Sequence, residues 1–334
     1  VTPEDSLKYI FVGGKGGVGK TVVAAALALE AARRGRRTLL ASLNPVHSLT
    51  SLLGHDFSGG VIKQVRGVDG LWALEVEIED LVASYQRSME ARLREFFRWA
   101  EVPINPEPFI KIATTNPAFQ ESAMFDKVMD LIVHQSRDFD LIVFDTAAVA
   151  NAARLIGLSK LYGLWLARMI QSRREAQELR LRLSVRKEKV AEEIRRDPVI
   201  ADLIGLHEKF NRTREVLTDA RRTAFYFVTT PESLPISVVS RFMKMVEAFN
   251  IPVGGLYVNM VLDPRDAAAD PSGYLASKLE EQQRYLELIW RDMGDKVRGI
   301  IRMFPHEIRG VDALQLVIED MHHYRGPSGP RGLH

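Results

Sequence analysis

Cysteine is absent from the 334 residues. That one absence excludes disulfides, thiolate metal ligands and a cysteine nucleophile, and it fits a reducing compartment. A membrane-length run is missing too. The longest apolar candidate, Leu161 to Ile170, is interrupted by Arg168 and falls short of the roughly 20 residues that span a bilayer. The opening Val1-Thr2-Pro3-Glu4-Asp5 has no basic stretch followed by an apolar one, so no export signal is expected and the expected compartment is the cytoplasm. Net charge is only +2, which supplies no overall field for nucleic acid. No internal repeat is visible.

What is present supports a sizeable core: 46% of residues are apolar and 26% charged, as in a soluble globular chain. The stretch everything else is organised around is Gly13-Gly14-Lys15-Gly16-Gly17-Val18-Gly19-Lys20-Thr21, which satisfies G-x-x-x-x-G-K-[ST] from Gly14 to Thr21. It is flanked by a short strand, residues 8–12, and an alanine-rich helix, residues 22–32. Glycines let the backbone wrap a phosphate, and the helix N-terminus adds partial positive charge. In this reading Gly14, Lys15, Gly16, Gly17, Val18, Gly19, Lys20, Thr21 and Val22 form the phosphate site of a nucleoside triphosphate. Lys20 reaches the β- and γ-phosphates and the Thr21 hydroxyl ligates Mg²⁺.

Further along, residues 37–42 read as a second buried strand and 71–76 as a third. Residues 79–99 carry helical spacing (Leu81, Tyr85, Met89, Leu93, Phe96, Phe97), 102–108 hold three prolines of a connector, and 117–134 are helical again. Asp140-Leu141-Ile142-Val143-Phe144-Asp145-Thr146 is a continuous apolar strand ending in an acid. At a sheet's carboxyl edge that is where such an ATPase positions Mg²⁺ or its shell waters. From 154 to 222 no strand of any length is expected, and 17 basic residues stand against 10 acidic ones. That region reads either as an ordinary helical layer with a solvated basic face or as an apolar groove with a basic rim, with Leu158, Leu161, Leu164, Trp165 and Met169 as groove candidates. Strands then return at 223–229, 253–259 and 297–303, with helices at 234–249, 272–293 and 311–321. Strands alternating with helices predict an α/β fold: a doubly wound, mostly parallel sheet of a phosphate-loop NTPase with an α-helical subdomain inserted. The expected organisation is a single ATPase domain over 1–334, with helical elements at about 78–135 and 152–222 and a flexible tail at 325–334.

Several segments carry a more specific resemblance. Lys15 inside K-G-G-V-G-K-T resembles the deviant phosphate loop of a class of dimeric ATPases. Asn44-Pro45-Val46-His47-Ser48-Leu49 resembles the D-P-A-H-S-L switch I of the arsenite-pump and tail-anchored-protein-targeting ATPases. The run 140–147 resembles the start of their switch II, 117–121 their P-G-x-x-E segment, Val258-Asn259 their adenine-reading strand end, and 304–311 their closing P-x-E-[IV]-R-G run. The resemblance spans nearly the whole chain in order. It implies ATP and Mg²⁺ as ligands and a homodimer in which Lys15 reaches the partner's nucleotide. It also implies Pro45, His47, Asp145 and Thr146 as switch residues, Asp145 in the metal's second shell, and Asn259 and Pro305 near adenine. Expected partners are hydrophobic transmembrane helices of client proteins, or a membrane receptor or transporter, with transient visits to the membrane.

Three departures stand out. Asn44 occupies the position of the family's catalytic aspartate, and an amide cannot take a proton from water as a carboxylate does. Ala148-Val149-Ala150-Asn151-Ala152 replaces the family's P-T-G-H-T. The missing cysteines remove thiolate capture of metalloids and the zinc clamp of some relatives, so no zinc is expected. The leading expectation is therefore a Mg-dependent dimeric ATPase that sequesters hydrophobic helices under nucleotide control, its hydrolysis slowed at Asn44. The alternatives are an ATPase subunit of an arsenite or anion transporter and a non-hydrolysing nucleotide switch. A membrane- or DNA-positioning ATPase fits less well, because residues 311–321 carry acids and no cation.

Overall fold

Strands buried on both faces need no polar alternation, and the apolar runs of this chain are of that kind. The computed structural model describes residues 6–44, 48–99, 107–108, 111, 118–146, 149–195 and 197–323, with backbone alone for 96–99, 118, 149–162 and 165. Within them β1 (Tyr9–Gly14), β2 (Thr38–Ser42), β5 (Leu141–Asp145) and β6 (Thr223–Thr229) are buried at every position. With β3 (Lys63–Gln64), β4 (Leu71–Glu75), β7 (Val253–Val261) and β8 (Val297–Arg302) they form one eight-stranded sheet in the order β3-β4-β2-β5-β1-β6-β7-β8. Only the two-residue β3 runs antiparallel. The expected α/β, mostly parallel sheet is thus the observed one.

The order places β1 at the centre, with β5 on one side and β6 on the other. Phe11 sits in register with Phe144 and with Phe225, and its ring stacks on each at 4.5 Å, a row of aromatics across the middle of the sheet. α1 (Lys20–Arg33) lies on the sheet almost wholly buried. Its alanines allow that close approach, and α11 (Gly310–His323) closes the same core with Leu314, Val317, Ile318 and Met321. The remaining helices are α2 (Ser48–Leu53), α3 (Ile78–Trp99), α4 (Ala118–Asp130), α5 (Val149–Leu183), α6 (Lys187–Arg195), α7 (Pro198–Thr218), α8 (Ser233–Ala248), α9 (Pro264–Ala269) and α10 (Tyr274–Met293).

The chain divides into two compact units. One comprises Val1–Glu77, Gln135–Ala153 and Leu217–His334; the other comprises Ile78–His134 and Arg154–Val216. The second is wholly helical among the described residues. Lys209 joins two of its helices, its Nζ 2.7 Å from Asp126 and 2.6 Å from Asp130, and half-buried Arg173 pairs with buried Asp197 at 2.9 Å.

Local differences from the sequence reading have physical reasons. The helix expected over 117–134 becomes α4 followed by a π turn, Leu131–Gln135. The wider turn still buries Leu131 and Ile132 on one side, so the apolar spacing cannot distinguish it. The basic region, expected only to be helical, holds three helices broken near Ser184 and Asp197. The helix expected from 272 begins at Tyr274 after a left-handed Gly273. α9 was not anticipated, although Asp263-Pro264 is a cap followed by a first-turn proline: the Asp263 carboxylate accepts from Arg265 N–H at 2.8 Å. Asp263→Ala should cost about 1 kcal/mol in chemical denaturation, whereas an unchanged midpoint would show the proline alone holds the turn.

Candidate nucleotide-binding site

The glycine-rich loop leaves the carboxyl end of the central strand, where the direction of strand addition reverses; in open α/β sheets that is where ligands bind. Gly14 closes β1 so tightly against β6 that a Cβ there would lie 2.3 Å from the Val228 carbonyl oxygen. Gly19 caps α1 with φ near 90°, and a Cβ on it would meet the Asn259 amide nitrogen at 2.1 Å. Asn259, buried near the end of β7, donates from Nδ2 to the Val18 carbonyl at 2.9 Å and so clamps the loop onto the sheet. Lys20 is buried, and its Nζ donates to the Lys15 carbonyl at 3.1 Å across the turn of the loop. Burial pushes its pKa down, partly offset by the charge of Asp145. Lys15 is half-buried, Gly16 and Gly17 are exposed, and Val22 packs on the core. A cation and helix-terminal N–H groups around an open loop form an arrangement that can hold polyphosphate.

Asp145 faces the loop from the neighbouring strand, in register with Val12. The Thr21 hydroxyl donates to its Oδ2 at 2.7 Å, and the Ser42 hydroxyl, in register on β2, donates to the same oxygen at 3.2 Å. Asp145 is 0% exposed and its other oxygen, Oδ1, is buried without a hydrogen-bond partner. An anionic oxygen left unpaired beside a threonine hydroxyl and a phosphate-type loop fits a divalent cation or its water shell. Among the described residues there is no cluster of three metal-ligating side chains, so a cation here would depend on phosphate oxygens for the rest of its shell. Thr146 donates from both its N–H (3.2 Å) and its hydroxyl (3.0 Å) to the Val12 carbonyl, which fixes the strand end.

Burial pushes the Asp145 pKa above the ordinary carboxylate value, and the hydroxyls of Thr21 and Ser42 oppose this only in part. In the ligand-free fold the proton is therefore held more tightly than in the unfolded chain. Stability falls as pH rises from the unfolded carboxylate value through the folded one. An Asp145→Asn variant should accordingly gain on the wild type as pH rises from 4 to 8 in urea denaturation. A gap independent of pH would mean that Asp145 titrates normally.

The structure brings together Lys15, Lys20, Thr21, Asp145, Thr146 and Asn259 around the loop and the end of β1. Asn44 follows β2, half-buried, its backbone N–H donating to Ser42 Oγ at 3.3 Å. Pro305 is exposed in the loop after β8. Pro45 and His47 lie outside the described residues, as do Ala147, Ala148 and the tail at 325–334, and the side chains of Leu158, Leu161 and Trp165. Of the other groove candidates Leu164 is 61% exposed and Met169 half-buried, while their neighbours Leu166 and Ile170 are buried core residues. Three residues were not singled out beforehand: Ser42; Ser48, whose Oγ is 3.4 Å from Thr21 Oγ1; and Glu75. Glu75 carried a readable signal, an acid ending an apolar strand, the same signal that marked Asp145.

A parallel sheet with this loop and this acid at its central carboxyl edge defines the class, a phosphate-loop nucleoside triphosphatase fold. The model of the family described as anion-transporting ATPase matches residues 7–323, and the chain belongs to this ArsA/GET3 ATPase family. Its curated relatives include "ATPase GET3C" of Arabidopsis thaliana, 31% identical over 93% of this chain and 81% of that protein. "ATPase ARSA1" of Chlamydomonas reinhardtii is 29% identical over 92% of this chain, which spans only 42% of that protein. "Putative arsenical pump-driving ATPase 2" of Aquifex aeolicus is 24% identical, with 92% and 97% coverage. No helix among the described residues is long and apolar enough to cross a membrane.

Proposed function

We propose that this ATPase-family chain binds Mg-ATP at the loop 14–21 and, as a nucleotide-gated homodimer, sequesters a hydrophobic helix that it releases after slow hydrolysis. The observation that carries the nucleotide part is the Asp145 carboxylate, bonded to Thr21 at 2.7 Å and left with one buried oxygen unpaired. Lys20, with the N–H groups of residues 16–21, holds phosphates; Thr21 and, through water, Asp145 hold Mg²⁺, which supplies charge neutralisation on the phosphates. Lys15 serves the partner's nucleotide. Asn44 holds the attacking water by hydrogen bonding without taking its proton, which slows the reaction. Asn259, already on the loop, and Pro305 lie toward the adenine. The helical unit, with exposed Leu164 and a basic surface, takes the client.

The test is binding of a peptide of about 20 apolar residues, with and without Mg-ATP, alongside the protein's mass in solution under both conditions. The reading expects nucleotide-dependent dimers that hold the peptide. Peptide binding that ignores nucleotide removes the carrier function and leaves a nucleotide switch, a role Asn44 independently favours. The pump reading takes support from the names of relatives, but a chain without cysteine has no thiolate to capture a metalloid. Turnover raised severalfold by arsenite would reverse that ranking.

A further inference from the structure

Glu75 is a buried carboxylate with no role in the steps above. It ends β4, is 3% exposed, and stands in register with Ser42, which stands in register with Asp145. Three polar residues thus form one row across the carboxyl edge of the sheet. Both Glu75 oxygens are used on the first turn of α2: Oε1 accepts from Leu49 N–H at 2.6 Å and Oε2 from the Thr50 hydroxyl at 2.5 Å. Thr50 Oγ1 in turn accepts from Phe57 N–H at 3.1 Å. A helix of six residues cannot sustain its own start, since nucleation is costly and its first N–H groups have no partner within it. Here a carboxylate from another strand supplies the partner, where negative charge also suits the helix dipole.

The consequence reaches the phosphate loop. Ser48 opens α2 with its Oγ 3.4 Å from Thr21 Oγ1, and Thr21 is the hydroxyl that bonds Asp145. At the other end of the same segment, Asn44 N–H is held by Ser42 Oγ. Asn44 and the first turn of α2 are therefore each held by the one row, Asn44 by Ser42 and Leu49 with Thr50 by Glu75.

We infer that Glu75 is a positioning residue for the metal side of the nucleotide site: by pinning the first turn of α2 it sets Ser48 against Thr21. This rests on the Mg-ATP reading above. It acts through α2 and touches neither nucleotide nor reacting atoms.

Three variants test it: Glu75→Ala, Glu75→Gln and Thr50→Val. The measurements are amide hydrogen exchange of Leu49 in ligand-free protein, affinity for a fluorescent ATP analogue with and without Mg²⁺, and global stability. For Glu75→Ala, loss of charged hydrogen bonds should speed Leu49 exchange and cut the Mg²⁺-dependent gain in affinity by about tenfold each. Affinity without Mg²⁺ should stay at the wild-type value. Glu75→Gln keeps an acceptor for Leu49 N–H and should recover most of the gain; Thr50→Val, which leaves Glu75 in place, should lose part of it. Should the alanine variant fail to fold, the other two carry the same comparison. Equal losses with and without Mg²⁺, or faster exchange with the Mg²⁺ gain intact, would make Glu75 a helix cap and nothing more. Wild-type protein that binds no better with Mg²⁺ than without overturns the nucleotide reading and this inference with it. An intact wild-type gain with indifferent variants overturns the inference alone.

Discussion

Replacing Asn44 with aspartate is expected to raise Mg-ATP turnover by about a hundredfold or more, the range that a positioned general base contributes. The backbone at this position is held by Ser42, whose Oγ accepts from Asn44 N–H and whose hydroxyl donates to Asp145. The substitution exchanges one amide nitrogen for an oxygen at nearly constant side-chain size. An amide oxygen can orient a water but has no appreciable affinity for its proton, whereas a carboxylate accepts it as the oxygen attacks. Steady-state phosphate release for the two chains, at saturating Mg-ATP and pH 7, decides the matter. A large gain makes the chain as it stands an ATPase arrested before hydrolysis. If both chains are equally inert, the departures at 148–152 have uncoupled the site. A binding protein that reads nucleotide without consuming it then becomes the better account.

Lys20→Met should weaken ATP binding by about ten- to a hundredfold, the equivalent of one or two charge-assisted hydrogen bonds to phosphate. The ligand-free chain should lose little stability, or gain some. Lys20 is buried, its ammonium has one oxygen partner on the loop, and burial pushes its pKa below the ordinary lysine value. A cation held at a depressed pKa destabilises the fold fully below the folded pKa, and the penalty fades as pH rises from there toward the unfolded value. The stability advantage of the methionine variant should therefore be largest near neutral pH and shrink above pH 9. Calorimetric titration with Mg-ATP and thermal melts at pH 7, 9 and 10 measure both halves. Unaltered affinity would show that the backbone cradle alone holds the phosphates. A loss of stability at every pH would show that the bond to the Lys15 carbonyl outweighs the cost of burying the charge.

Much of this was visible in the order of residues because its causes are local. A strand buried on both faces must be apolar throughout, so β1, β2, β5 and β6 announce themselves. The turn around a phosphate needs glycine at Gly14 and Gly19, one for close approach and one for a left-handed backbone, and it needs a lysine and a threonine next in line. Asp145 could be picked out because an acid at the end of such a strand has little reason to be there unless something at the sheet edge uses it. These features determine the fold class, the loop and the family signature without reference to anything distant in the chain.

Other facts exist only across the sheet. That β1 lies between β5 and β6 is a matter of topology, and it brings Val12 beside Asp145 across 132 intervening residues. Ser42 is unremarkable as a strand end, and the acid at Glu75 has no visible use, until parallel register aligns both with Asp145. Asn259 is remote from the loop in sequence, yet its amide nitrogen ends on the Val18 carbonyl. The sequence by itself determined the phosphate-loop motif, the buried strands and the family signature, since glycine conformation, charge and continuous hydrophobicity are properties of each short stretch. Tertiary structure alone decided which polar groups hold those residues in place, because a hydrogen bond requires two atoms within about 3 Å, and only the folding of distant strands into one sheet sets that distance.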